Sequence, residues 1–351
     1  MKGFNVSKFE DAHNNKTEYF ARKIEQLFLS AIREAIQIAK LANIDPDKPF
    51  SFDDYPITKK RLENLLKSFS NNIQSTIIEG IESEWLLANE KNDALVKAVF
   101  EGRNVPDNLL TSYSQRNLNA LAAFQGRKAG GLNLSDRVWN YTKQFKTDME
   151  LCIDLGLDGR TAQQLSQDVR SLLKEPNKLF RRVRDKRGNL QLSKAAKAYH
   201  PGQGVYRSSY KNAMRLARTE INMAYRESDF IRYGQLDFIV GFEVKRSNRK
   251  YDCVVCETLK GKYPKTFKFV GFHPQCRCFV VSILATSEEV DYLIENDGFP
   301  KDFKSKNGIY ELPQDFKGYI DKNKDRILVA SNIPYFVRDN VKFDALKFAK
   351  R

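Results

Sequence analysis

Two short stretches hold most of the residues able to bind a soft metal. "YDCVVCETLKGKY" supplies Cys253 and Cys256, and "FHPQCRC" supplies His273, Cys276 and Cys278. The chain has 351 residues but only five cysteines and three histidines, so four cysteines and one histidine within 26 residues are a deliberate cluster. Thiolates and imidazole at such spacing suit a tetrahedral zinc ion. The CxxC turn would grip one side, and HxxCxC, with sixteen residues between Cys256 and His273, the other. Five donors compete for four places. Cys253 and Cys256 form the firmer pair, and Cys276 with either His273 or Cys278 completes the set. On a strand, Cys276 and Cys278 would point to one side and Arg277 to the other. Asp252 would orient His273 through its second ring nitrogen. A disulfide-clamped loop and a reduced, metal-free core are the plainer alternatives.

These residues must be carried by a scaffold, and the rest of the chain reads as mainly helical. Apolar residues recur at three- and four-residue steps over 17–42, with Thr17 as a cap. Further helices are expected over 58–100 and 109–124. Another follows "QGRKAGGLNLSD", capped by Ser135 or Asp136, with Trp139, Phe145, Met149 and Cys152 on its apolar face. The next runs over 158–175, capped by Thr161, and another over 208–236. Period-two patterning then predicts strands at 237–247, with Phe242 and Val244 on one face, and in "KTFKFVGF" and "CFVVSIL". The expected fold is a mainly α N-terminal part with a C-terminal α+β module: a long helix, a small sheet and the Cys/His cluster. The expected organisation is a helical arm at 1–56, a helical domain at 57–200 with a basic linker at 177–204, a module at 205–287 and an extension at 288–351.

Composition narrows the classes. The chain is 41% hydrophobic and 29% charged, a folded composition. It has no signal-peptide pattern at its start and no apolar run long enough for a membrane span. Clustered cysteines fit a reducing compartment. Net charge is +15, and between Lys178 and Arg218 twelve Lys/Arg face a single acid. Arg181, Arg182, Arg184 and Arg187 are the densest part, suited to phosphates or to an acidic partner. His13 and His200 read as an exposed and a turn residue. HExxH, the zinc-deaminase pattern, the P-loop, the dinucleotide fingerprint and GxSxG are absent.

"RLARTEINMAYRES", a following strand, "YDCVVCETLKGKYP" and "GFHPQCRC" together resemble the phage Mu F-like minor head protein family, also called the phage head morphogenesis domain. The likeness covers about 135–285, including "GLDGRTAQQLSQDVRSLL". The tail "LPQDFKGYIDKNKDRILVASNIPYFVRDN" resembles a region found after that domain in some relatives. The resemblance implies a virion component assembled in a bacterial host cytoplasm. It would work in head morphogenesis at the portal vertex beside portal and capsid or scaffold subunits, and would aid DNA packaging or delivery. Arg218 and Glu220 would lock the signature helix to the metal-bearing turn, or else form an ordinary surface ion pair. No catalytic residue is assigned. The competing classes are a metal-dependent nuclease or toxin, for which Asp252, Glu220 and His273 are the obvious trio, and a DNA-binding adaptor.

Overall fold

Amphipathic stripes much longer than a usual helix dominate the chain. The computed structural model describes residues 4–44, 50–154, 161–176, 182–184, 187, 190–192, 205–247 and 253–350. Helix α1 spans Val6–Ala39 and α2 spans Pro56–Phe100, with proline at the first helical position where its missing N–H costs nothing. Helix α1 starts eleven residues before Thr17, so Thr17 lies inside the helix and is not its cap. Its buried face continues upstream through Glu10 and His13, polar residues that apolar periodicity does not register. Then follow α3 (Asp107–Tyr113), α4 (Leu118–Gly126), α5 (Leu134–Asp154), α6 (Ala162–Lys174), a hairpin of β1 (Arg182–Arg184) and β2 (Leu190–Leu192), and α7 (Ser209–Gln235). The C-terminal part holds β3 (Ile239–Lys245), α8 (Val254–Leu259), β4 (Gly261–Tyr263), β5 (Phe279–Leu284), α9 (Ser287–Glu295), α10 (Gln314–Leu328) and α11 (Tyr335–Arg338). The fold is thus mainly helical with a small antiparallel sheet in the C-terminal half. Among the described residues, no helix is long and apolar enough to cross a membrane.

The chain divides into two units, each drawn from segments far apart in sequence. One comprises Glu18–Glu79 and Gly126–Ala217. Its core is an aromatic cluster in which Phe28 meets Phe69, Phe145 and Tyr210 at ring distances of 4.8, 5.7 and 5.4 Å. Phe145, Met149 and Cys152 are buried as their spacing predicts, but Trp139 is 36% exposed and is not part of that face. Thr161 caps α6 through a reciprocal capping box with Gln164, as expected. The start of α5 is capped one turn earlier than expected: the Asn133 side chain accepts from the Asp136 N–H at 2.8 Å. This unit carries 28 Lys+Arg against 17 Asp+Glu, so most of the chain's excess positive charge belongs to it.

The other unit comprises Met1–Thr17, Gly80–Gln125 and Arg218–Arg351. Its sheet runs β4-β3-β5, all antiparallel, with Phe242 opposite both Tyr263 and Ser282, and Val244 opposite Val280. Phe242 and Val244 are buried, as the period-two pattern requires. "KTFKFVGF" is not a strand. Phe267, Phe269, Val270 and Phe272 are all buried, on both parities of the pattern, and the stretch turns with Phe267 N–H bonded to the Pro264 carbonyl. The third strand is instead the short β4 just upstream.

The same unit buries an ionic cluster that the sequence concealed. Arg226 on α7 grips Glu10 on α1 with two bonds of 2.9 and 2.6 Å. Lys91 on α2 lies 3.6 Å from Glu10 and pairs with Asp229, which also accepts from Asn92. His13 is not exposed. It is 3% accessible, stacked on Tyr225 at 4.2 Å, with Nδ1 2.6 Å from Glu84 and Nε2 2.9 Å from Asn222.

Candidate metal centre

The short helix α8 begins on a metal-type turn. Cys253 is its N-cap residue, and its Sγ accepts from the Cys256 N–H at 3.5 Å. The opposing half is a tight turn, closed by Cys276 N–H to the His273 carbonyl at 3.0 Å. Pro274 and Gln275 take its two central places. Gln275 has φ of 60°, the left-handed conformation that the third place of such a turn demands.

The signature helix holds this turn. Thr219 Oγ1 accepts from the Gln275 N–H at 3.1 Å, so the middle residue of the Arg-Thr-Glu triplet bonds directly to the loop. Glu220 is buried at 3% exposure, and its charge bears on Tyr335, which also feels Cys276 and Cys256. Sequence reasoning weighed Arg218 and Glu220 and passed over Thr219. A hydroxyl between two charged residues carries no signal until its partner is known.

The five donors come together. The ligand atoms of Cys253, Cys256 and His273 lie within 4.8 Å of one another, and so do those of Cys256, Cys276 and Cys278. Cys256 belongs to both groups. His273 Nε2 is 3.2 Å from Cys253 Sγ and 3.1 Å from Cys256 Sγ, and Cys256 Sγ is 3.7 Å from Cys276 Sγ. A tetrahedral zinc would space its ligand atoms about 3.5–3.8 Å apart. The sulfur pair fits, and the nitrogen contacts need to open by only a few tenths of an ångström. The other ring nitrogen, Nδ1, lies 2.8 Å from the Pro274 carbonyl. Donating there leaves Nε2 bare for a metal. The orienting role expected of Asp252 is thus filled by a carbonyl, and Asp252 itself lies outside the described residues.

Cys256, Cys276 and Cys278 are each 3% exposed, with Arg277 exposed between the last two. The alternation is as expected, although β5 starts only at Phe279. None of the five cysteines forms a disulfide. Bonds from Cys256 and Cys278 hold the Cys276 thiol well below its ordinary pKa. Contacts with Cys276 and Cys278, then burial, push the Cys256 thiol far above. At Cys278 a bond from Cys256 acts downward, but Cys276 and burial outweigh it and the net direction is up. Three buried sulfurs this close cannot all ionise unaided, because the first thiolate opposes the others. A dication would let the others ionise. Charge, burial and spacing all fit a bound metal ion.

The remaining candidates are more scattered. Arg182 and Arg184 fall on β1, and Arg187 is exposed in the turn beyond it. Arg181 and His200 lie outside the described residues. No protein-family model matches the chain, and no curated protein or solved structure matches it either.

Proposed function

We propose that this chain is a phage minor head protein acting in head morphogenesis at the portal vertex, with a C-terminal module pinned by structural zinc. The observation that supports this reading is the bond from the Gln275 N–H to Thr219. It joins the Arg-Thr-Glu helix to the His-Pro-x-Cys turn, whose donors in turn meet those of the CxxC turn. Cys253, Cys256, His273 and Cys276 would hold the ion. Cys256 reaches both donor groups, and Cys276 Sγ lies 3.7 Å from Cys256 Sγ, the spacing of two ligands on one tetrahedral ion. Cys278 stands beside them as a thiol. Zinc here would clip a loop to a helix and a small sheet, a task suited to a closed tetrahedral site.

Elemental analysis of the reduced protein should find about one zinc per chain, the stoichiometry of a single closed site. Cys253→Ser and Cys276→Ser lose it, and Cys278→Ser keeps it. Metal-free reduced protein would refute the zinc reading while leaving the particle assignment standing. A reconstruction of the intact particle should show this chain in few copies at the portal vertex, among portal and capsid subunits. Its absence from the particle would refute that assignment. The positive excess of the Glu18–Glu79, Gly126–Ala217 unit supports a polyanion as its neighbour, packaged DNA first. DNA retention that falls steeply with salt, and less steeply after neutralising Arg182, Arg184 and Arg187, is the expected result.

A further inference from the structure

We propose that the segment from Pro313 to Lys350 is a clasp that shapes the metal loop, so that retaining the metal and ordering this segment are one coupled event. The proposal rests on the metal reading above.

The stretch from Lys265 to Phe272 leads into His273 without strand structure, so its backbone groups need partners from elsewhere. Asn340, fully buried and 72 residues away, supplies them. Its Oδ1 accepts from the Lys268 N–H at 2.7 Å, and its Nδ2 donates to the Lys268 carbonyl at 2.9 Å. The second amide proton goes to the Phe336 carbonyl at 2.9 Å. One side chain therefore does for Lys268 what a neighbouring strand would do, and ties it to α11. Rings from the same segment seal both ends of the stretch. Phe316 and Phe343 lie 5.5 and 5.8 Å from Phe267, and Phe336 lies 5.6 Å from Phe272.

The tightest point is at Gly271. Its φ of 115° is open to glycine alone. A Cβ there would sit 3.0 Å from Cys276 Cβ, 3.7 Å from Cys276 Sγ and 3.5 Å from the Tyr335 hydroxyl. The clasp thus sets a hydroxyl beside the loop next to a ligand cysteine. Tyr335 is a positioning residue: its hydroxyl stands beside the loop at Gly271 and closes it to water and chelators.

The test uses the full-length, zinc-loaded chain challenged with a chromogenic chelator. Asn340→Ala and Tyr335→Ala should release zinc about tenfold faster or more, the usual penalty for losing a partner behind a ligand. In cobalt-loaded Tyr335→Phe, the sulfur-to-metal charge-transfer band should shift with the metal retained. An unchanged band overturns the role of the hydroxyl. Release at the wild-type rate from both alanine variants overturns the clasp. If Asn340→Ala does not fold, the wild-type chain decides by hydrogen exchange. Stripping its metal should speed exchange at Lys268 and at Val337–Asn340, because coupling is reciprocal, and unchanged protection there overturns the proposal. A wild-type chain that never holds metal refutes the metal reading itself, a different result from metal held with equal firmness by every variant.

Discussion

One unit of this protein buries two polar clusters, and they solve the same problem in opposite ways. The ionic cluster of Glu10, Lys91, Arg226 and Asp229 closes on itself, with two carboxylates facing two cations. The Cys/His cluster has donors of one kind only, so it needs an ion from outside. Their sequence origins differ as well. The sulfur cluster is local, with 26 residues from first ligand to last. The ionic cluster joins Glu10 to Arg226 across 216 positions. A local cluster can be borrowed from solution chemistry, because short turns preform it. A dispersed one exists only when three helices have already met.

Breaking the ionic cluster should therefore have the largest effect on stability and none of its own on metal stoichiometry. Arg226→Ala leaves Glu10 and Asp229 buried beside a single remaining cation, and should cost about 3–5 kcal/mol. Chemical denaturation of the metal-loaded protein measures it. The acid limb sharpens the point. Burial alone would raise the Glu10 pKa, but Arg226 and Lys91 bring it down from 4.5 to about 2. A depressed carboxylate stabilises the fold above its unfolded pKa. The contribution, about 3 kcal/mol, is complete above that point and disappears as the pH falls toward 2. In Glu10→Gln that limb of the pH–stability curve should flatten.

His13 gives the next largest effect. An exposed histidine would tolerate alanine within about 0.5 kcal/mol. Here His13→Ala strips Glu84, itself fully buried, of a 2.6 Å bond and opens a gap against Tyr225. A cost of about 2–3 kcal/mol is expected from an unsatisfied buried group. A urea midpoint unchanged from wild type would return His13 to the surface role that its polar neighbourhood suggests.

The contrast also explains what could be read in advance. Four cysteines and a histidine stood out because those residues are rare, and local spacing was enough to bring them together. Thr161 as the cap of α6 was legible for the same reason: a cap and its helix are neighbours in sequence. His13 was not, because its partners are 71 and 209 residues away. The N-terminal turns of α1 were missed since their buried face is Glu10, His13 and Thr17. Period two misled in "KTFKFVGF", where alternating aromatics serve an irregular turn buried on every side. The real strand β4, three residues long, leaves too little pattern to see.

On the sulfur side the effects should be smaller and should register in metal affinity as well as stability. Gly271→Ala forces an L side chain into a left-handed conformation against Cys276, at a cost of about 1–3 kcal/mol. The metal should be held less firmly in consequence.

The finest test is Thr219→Val. The change keeps the shape of the side chain and removes the acceptor of the Gln275 N–H. A neutral hydrogen bond of this kind contributes about 1 kcal/mol. Thr219→Ser keeps the hydroxyl and should recover most of the loss. Because Gln275 is held at positive φ, the turn has a strained residue at its centre, and that bond helps to fix it. The loss should therefore include faster metal release, which a merely structural helix mutation would not produce. If Thr219→Val softens the fold but leaves metal release unaltered, the signature helix supports the module without steering its ligands. The two clusters would then be alike in serving packing alone.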